Sequence, residues 1–212
     1  MPRPFLLLDV DNTLYPPTCG VVPRVDVLIN RYLVDRMRFD PGEVDAIRRS
    51  LWSDYGTTLH GLMHRHQIDP QDYLDFVHAI ELSDVLAHDA ALAAMLGRIP
   101  RLKVAVTNGS AAHGKAVLDC LGVRDLFFRV YGLERLDFIP KPYIQAYHTV
   151  LGDLHAHGRD CVLVEDRAAN LTTARQLGMQ TVFVCDGGPP AADADVSIRG
   201  IAELETALAA LG

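Results

Sequence analysis

Cysteine is scarce and scattered: Cys19, Cys120, Cys161 and Cys185 form no CxxC pair and no short disulfide-type spacing. That excludes a disulfide framework, and reduced thiols in a cytosol are expected. Positive charge is also in short supply. Twenty Lys and Arg face 27 Asp and Glu, a net −7, so the clustered cations needed by a nucleic-acid polymer or an anionic membrane partner are not expected, although a local anion site is not excluded. Long apolar runs are missing as well. The first, ending Phe5-Leu6-Leu7-Leu8, meets Asp9, too soon for a signal h-region or a membrane span, and a cytoplasmic location is expected. There is no internal repeat, and nothing of low complexity beyond the loop Gly187-Gly188-Pro189-Pro190.

What is present suits a globular chain. Of 212 residues, 49% are hydrophobic and 22% charged, enough for a sizeable core in one domain, or in one domain with an insertion. Phe5 to Val10 reads as a buried parallel strand ending in Asp9, Asp11 and Asn12. From Val22 to about Ala79 the period is helical, with Val25, Leu28, Ile29, Tyr32 and Leu33 on one stripe and Pro41 and Pro70 opening further helices. After Asp89 helices and strands alternate: helix 90–96, strand 103–106, helix 112–121, strand 128–131, helix 143–151, strand 161–164, helix 168–177 closed by Gly178, strand 181–184, helix 201–211. The expected fold is α/β, a Rossmann-like parallel sheet formed by residues 1–15 and 85–212, with an all-helical cap inserted at 16–84.

In open α/β sheets ligands bind beyond the carboxyl ends of the strands. The polar residues there are Asp9-Val10-Asp11-Asn12-Thr13, Thr107-Asn108-Gly109-Ser110 and Glu165-Asp166, with Lys141 between two prolines. Four acids converging on one cleft would repel unless a cation compensated them, and an all-oxygen ligand set selects a hard ion such as Mg²⁺. Lys141, Thr107 and Asn108 facing that cluster would complement a bound oxyanion, so a phosphoryl group bridging metal and lysine fits.

Taken in order, Asp9-Val10-Asp11-Asn12-Thr13-Leu14, Thr107-Asn108-Gly109, Pro140-Lys141-Pro142 and Glu165-Asp166-Arg167-Ala168-Ala169-Asn170-Leu171 resemble the four motifs of the haloacid dehalogenase superfamily of aspartate-nucleophile phosphatases. The resemblance implies that Asp9 attacks phosphorus to form an aspartyl-phosphate, and that Asp11 protonates the leaving oxygen and then activates water. It implies Mg²⁺ held by Asp9, the Asp11 backbone carbonyl and Asp166, with Glu165 assisting directly or through water. Thr107 and Lys141 would stabilise the transferred group, and Lys141 would keep Asp9 ionised. Relatives that displace halide from carbon need no acid at position 11, so Asp11 favours phosphate esters. Arg167 stands where many relatives place a small hydroxyl residue.

Leu14-Tyr15-Pro16 and Tyr55-Gly56-Thr57-Thr58-Leu59-His60-Gly61-Leu62 resemble the pyrimidine 5′-nucleotidase branch. That implies a small phosphorylated metabolite as substrate, with Tyr55, Thr57, Thr58 and His60 facing the nucleophile from the cap, in a monomer or homodimer. Tyr55 could equally be a packing residue; Trp52 reads as core. The pair His60 and His64 has the spacing of two metal ligands on a helix but lacks a third. The rivals are a sugar-phosphate phosphatase or phosphosugar mutase of the same superfamily and, in another class, a phosphate-receiving signalling module, which would lack the cap.

Overall fold

The computed structural model describes residues 4–192 and 194–212; residues 1–3, at the head of the N-terminal apolar run, and residue 193 lie outside it. Six strands form one wholly parallel sheet: β1 Phe5–Leu8, β2 Leu102–Val106, β3 Phe127–Tyr131, β4 Cys161–Glu165, β5 Gln180–Val184 and β6 Val196–Ile198. Their order across the sheet is β3-β2-β1-β4-β5-β6, with β1 flanked by β2 and β4. The chain builds outward from β1 to β3, then resumes on the other side at β4. This reversal opens a crevice beyond the carboxyl ends of the central strands.

Alternation along each strand explains why helices cover both faces. Leu6, Leu8, Ala105, Val162, Val164 and Val182 point into one apolar cluster, and Leu7, Val104, Val106 and Leu163 into another. Helices α5 (Ala90–Arg98), α6 (Ala111–Leu121) and α9 (Leu204–Ala210) pack on the first face; α7 (Ile144–Asp153) and α8 (Ala168–Gln176) pack on the second.

Between β1 and β2 stand α1 (Val21–Asp35), α2 (Val44–Tyr55), α3 (Thr58–Arg65) and α4 (Pro70–Val77), with no strand among them. They bury a third cluster of their own, including Tyr32, Leu33, Leu51, Leu62 and Leu74, joined from the sheet domain by Leu133. Two details differ from the sequence-based expectation. Strand β6 was not expected, because three residues after a Gly-Pro loop carry no period. The terminal helix starts at Leu204, since residues 201–203 form a 3₁₀ turn instead.

Candidate active site

The acidic end of β1 is held by backbone bonds before any side chain acts. Asp9 N–H donates to Val164 O at 3.0 Å, extending the ladder one residue past the strand, and Leu14 N–H then donates to Val10 O at 3.0 Å. Asn12 makes the turn at φ +62°, a left-handed conformation that Asn tolerates. Thr13 Oγ1 donates to Asp9 Oδ2 at 2.8 Å. At the end of β2, Thr107 N–H reaches Tyr131 O at 2.9 Å, and Thr107 Oγ1 accepts from Gly109 N–H at 2.9 Å.

Lys141 is the hub. Its Nζ donates to Asp9 Oδ1 at 2.7 Å, Glu165 Oε2 at 2.8 Å and Val106 O at 2.6 Å, using all three ammonium protons. The side chain is 1% exposed. Asn108 braces this lysine rather than offering a free amide: its Nδ2 donates to Lys141 O at 2.9 Å and its Oδ1 accepts from Lys141 N–H at 2.8 Å. Direct contact between Lys141 and a substrate oxyanion would therefore require release of one existing partner.

Burial sets the electrostatics. It pushes the Asp9 carboxyl up to about 7, Glu165 adds to the rise, and Lys141 opposes both. Lys141 thus favours an ionised Asp9, but a second buried carboxylate shares the same ammonium. Burial also opposes the Lys141 charge, but Asp9 and Glu165 outweigh it and hold that amine above its ordinary range. Glu165 and Asp166 are both raised, chiefly by burial.

Asp11 behaves in the opposite way. Burial would raise it, but the His113 ring and the hydroxyl of Tyr15 bring it down to about 2. Tyr15 Oη donates to Asp11 Oδ1 at 2.5 Å, and His113 Nε2 lies 2.8 Å from the same oxygen. His78, at the end of α4, stacks on His113 with ring centroids 4.4 Å apart; burial and then His113 lower its pKa to about 4.

These groups open into a cavity of about 260 Å³ between the sheet and the inserted helices. Asp9, Asp11, Thr107, Asn108, Lys141, Glu165 and Asp166 line its floor, and Thr57, Thr58 and Trp52 its roof. Tyr55 and His60 are not on its wall, contrary to expectation. Gly56, at φ +79°, turns the chain between α2 and α3, leaving the Tyr55 ring stacked on His64 at 5.2 Å and under Arg65. His60 packs edge-on against Tyr143 at 4.8 Å. Trp52 is not core either: it is 51% exposed, with the Arg167 guanidinium 4.6 Å above its ring.

Sequence reasoning passed over His113, His78 and the mutually paired Asp26 and Arg48 in the cavity wall. The one available signal was a histidine on the apolar stripe of α6, in line with Val117 and Leu121. A cation fits the floor. Asp9, Glu165 and Asp166 each offer a carboxylate oxygen, all within 4.8 Å of one another. Among the described residues, Glu165 Oε1, Asn12 Oδ1 and Asn170 Oδ1 are buried acceptors without a hydrogen-bond partner, and an all-oxygen set suits a hard divalent ion.

Fold and site together define a doubly wound α/β protein with a buried acid and lysine cluster at the strand ends, roofed by inserted helices. The family model of haloacid dehalogenase-like hydrolases matches residues 6–178, and the chain belongs to that family. It is 24% identical to Phosphate metabolism protein 8 of Saccharomyces cerevisiae over 196 residues, covering 85% of this chain and 61% of the length of that relative. Its fold is similar to the magnesium-bound HAD-hydrolase YfnB of Bacillus subtilis, at TM-score 0.66 and 17% identity over 98% of this chain and 99% of the other. It is also similar to a HAD phosphatase from Thermococcus onnurineus, at 0.66 and 16% over 98% of each. An L-2-haloacid dehalogenase from Xanthobacter autotrophicus matches at 0.62 and 14% over the full length of both chains.

Proposed function

We propose that this hydrolase cleaves small phosphate monoesters with Asp9 as nucleophile and Asp11 as acid and base. The observation that carries the reading is the pair of carboxylates, two residues apart, opening into one cavity with Thr107 and Lys141. A carbon–halogen bond releases a halide that needs no proton, whereas a phosphate ester releases an alkoxide that does. The second carboxylate has work only in the latter.

In the first step an Asp9 carboxylate oxygen bonds to phosphorus as the ester P–O bond breaks, and the departing oxygen takes its electron pair and a proton from Asp11. In the second, Asp11 removes a proton from water as it displaces Asp9. Asp11 rests as a carboxylate; the negative charge of a bound phosphoryl group raises its proton affinity, which readies it as a donor. Thr13, by its bond to Asp9 Oδ2, keeps the nucleophile oriented, and Thr107 faces the transferred group. Asp9, Asp166 and Glu165 would hold Mg²⁺. When bound, that ion supplies positive charge to the phosphoryl oxygens and offsets the crowded carboxylates.

Residues 16–84 act in this reading as a cap that excludes water and selects the leaving group. Thr57 and Thr58 supply hydroxyls above a partly apolar wall, which suits a nucleoside 5′-monophosphate, a pyrimidine one in particular. The yeast relative's name, Phosphate metabolism protein 8, supports phosphate chemistry without naming a substrate. A phosphate-release screen over nucleotides and sugar phosphates, with Mg²⁺ and with chelator, tests the reading. Turnover should require the metal and favour uridine and cytidine monophosphates; equal rates on sugar phosphates would remove the nucleotide assignment. Asp9→Asn should abolish turnover in a folded protein, and retained activity would refute the mechanism.

A further inference from the structure

We infer that His113 is a positioning residue: together with Tyr15 it holds the Asp11 carboxylate by Oδ1, so that Oδ2 is the oxygen that exchanges a proton with the leaving group. The inference rests on the reading of Asp11 as acid and base. Oδ1 receives Tyr15 Oη at 2.5 Å and His113 Nε2 at 2.8 Å, and these two donors fill both of its lone pairs. A carboxylate accepts only, so His113 Nε2 carries a hydrogen whatever the state of the rest of the ring. Among the described residues Oδ2 meets only Thr107 Oγ1, at a long 3.5 Å. One oxygen is saturated and the other faces the cavity.

The clamp is rigid by construction. The His113 side chain is 1% exposed, and the residue lies in the first turn of α6, where Ser110 Oγ accepts its backbone N–H at 3.0 Å. His78 covers the ring from the inserted helices. Gly109 leaves room for both rings, since a Cβ there would come within 3.2 Å of His78 Nε2 and 3.3 Å of His113 Cδ2. Tyr15, 3% exposed, is anchored in the apolar cluster beneath α5 and α6. A general acid works only if its proton points at the departing atom, and proton transfer of this kind is worth about 10²–10⁴ in rate. Loss of the clamp should remove part of that factor, and only where a proton is needed.

The test compares an alkyl phosphate, whose alkoxide must be protonated, with p-nitrophenyl phosphate, whose phenolate need not be. His113→Ala should lower kcat on the alkyl ester by about 10–100-fold and on the aryl ester by less than about threefold, with KM little changed. His113→Gln, which presents an N–H in place of Nε2, should recover most of the alkyl-ester activity. Tyr15→Phe, which removes one oxygen atom, should show the same bias and serves if the alanine variant does not fold. Equal losses on both esters, or a glutamine variant no better than alanine, would overturn the inference. Asp11→Asn separates the two levels. If it discriminates between the esters while the His113 and Tyr15 variants do not, the clamp alone falls; if it does not discriminate, the acid–base reading falls and the clamp with it.

Discussion

At the residue scale the unusual feature is a lysine shared by two buried carboxylates. Asp9 titrates at 3.8 when unperturbed and near 7 in the fold, with burial as the main cause and Glu165 second. Between those values the folded chain holds a proton that the unfolded chain has released. The stability this group contributes is therefore complete at the acidic end and is lost as pH rises through the folded value, by at most about 1.4 kcal/mol per pH unit. In chelator, the melting temperature of the wild type should fall relative to Asp9→Asn between pH 5.5 and pH 8. Mg²⁺ should restore it, more at pH 8 than at pH 5.5. A wild-type-to-variant difference that does not change with pH would show that the carboxyl is not perturbed as described. Asp9, Asp11, Thr107, Glu165 and Asp166 could be gathered at one edge from the sequence because parallel strands deliver their last residues there, whereas Lys141, in the turn before α7, was picked out by its Pro140-Lys141-Pro142 motif. Tyr15 and His113 were not read as site residues, because they act through Asp11 and sit where a packing residue would.

At the scale of the element, the site depends on how closely α6 approaches the segment after β3. A Cβ on Gly132 would lie 2.0 Å from Ala111 N and 2.6 Å from Ala111 Cα. Backbone cannot step aside as a side chain can. Gly132→Ala should displace the first turn of α6, cost about 1–3 kcal/mol in denaturant unfolding, and lower kcat, because Thr107, Ser110 and His113 are tied to that turn. Gly97, exposed near the end of α5 with nothing within 4 Å of where a methyl would stand, supplies the contrast. Its alanine variant should gain about 0.5 kcal/mol with unchanged kinetics. Gly132→Ala that melts and turns over like the wild type would mean the approach is looser than described. Periodicity exposed most elements, and failed where it had too few residues or a single glycine to work with. Strand β6 spans three residues, and Gly56, by turning left-handed, sends Tyr55 outward while Thr57 and Thr58 open α3 toward the cavity. The spacing of Tyr55, Thr57 and Thr58 was visible; the reversal between them was not.

Across the whole molecule, the inserted helices carry their own apolar core, and the sheet domain contributes Leu133 to it. The cavity therefore lies between two packed apolar clusters, and the contacts across it help to set how they meet. Trp52 and Arg167 form such a contact: one comes from α2, the other is the residue capping α8 directly after the acidic pair. A guanidinium over an exposed indole is worth about 0.5–1 kcal/mol. If the inserted helices open and close over the site, as proposed, breaking it should shift that balance by about 2–5-fold. If closure precedes chemistry, Arg167→Ala and Trp52→Ala should each raise KM by about that factor. Neither change should lower kcat, because neither group touches the reacting atoms in the proposed mechanism. The two effects should also not add: once one partner is gone the bridge is already broken, so the double variant should match the worse single one. Steady-state kinetics on all four proteins of the cycle would check this, and fully additive changes in KM would assign Trp52 and Arg167 to separate substrate contacts instead of to one bridge.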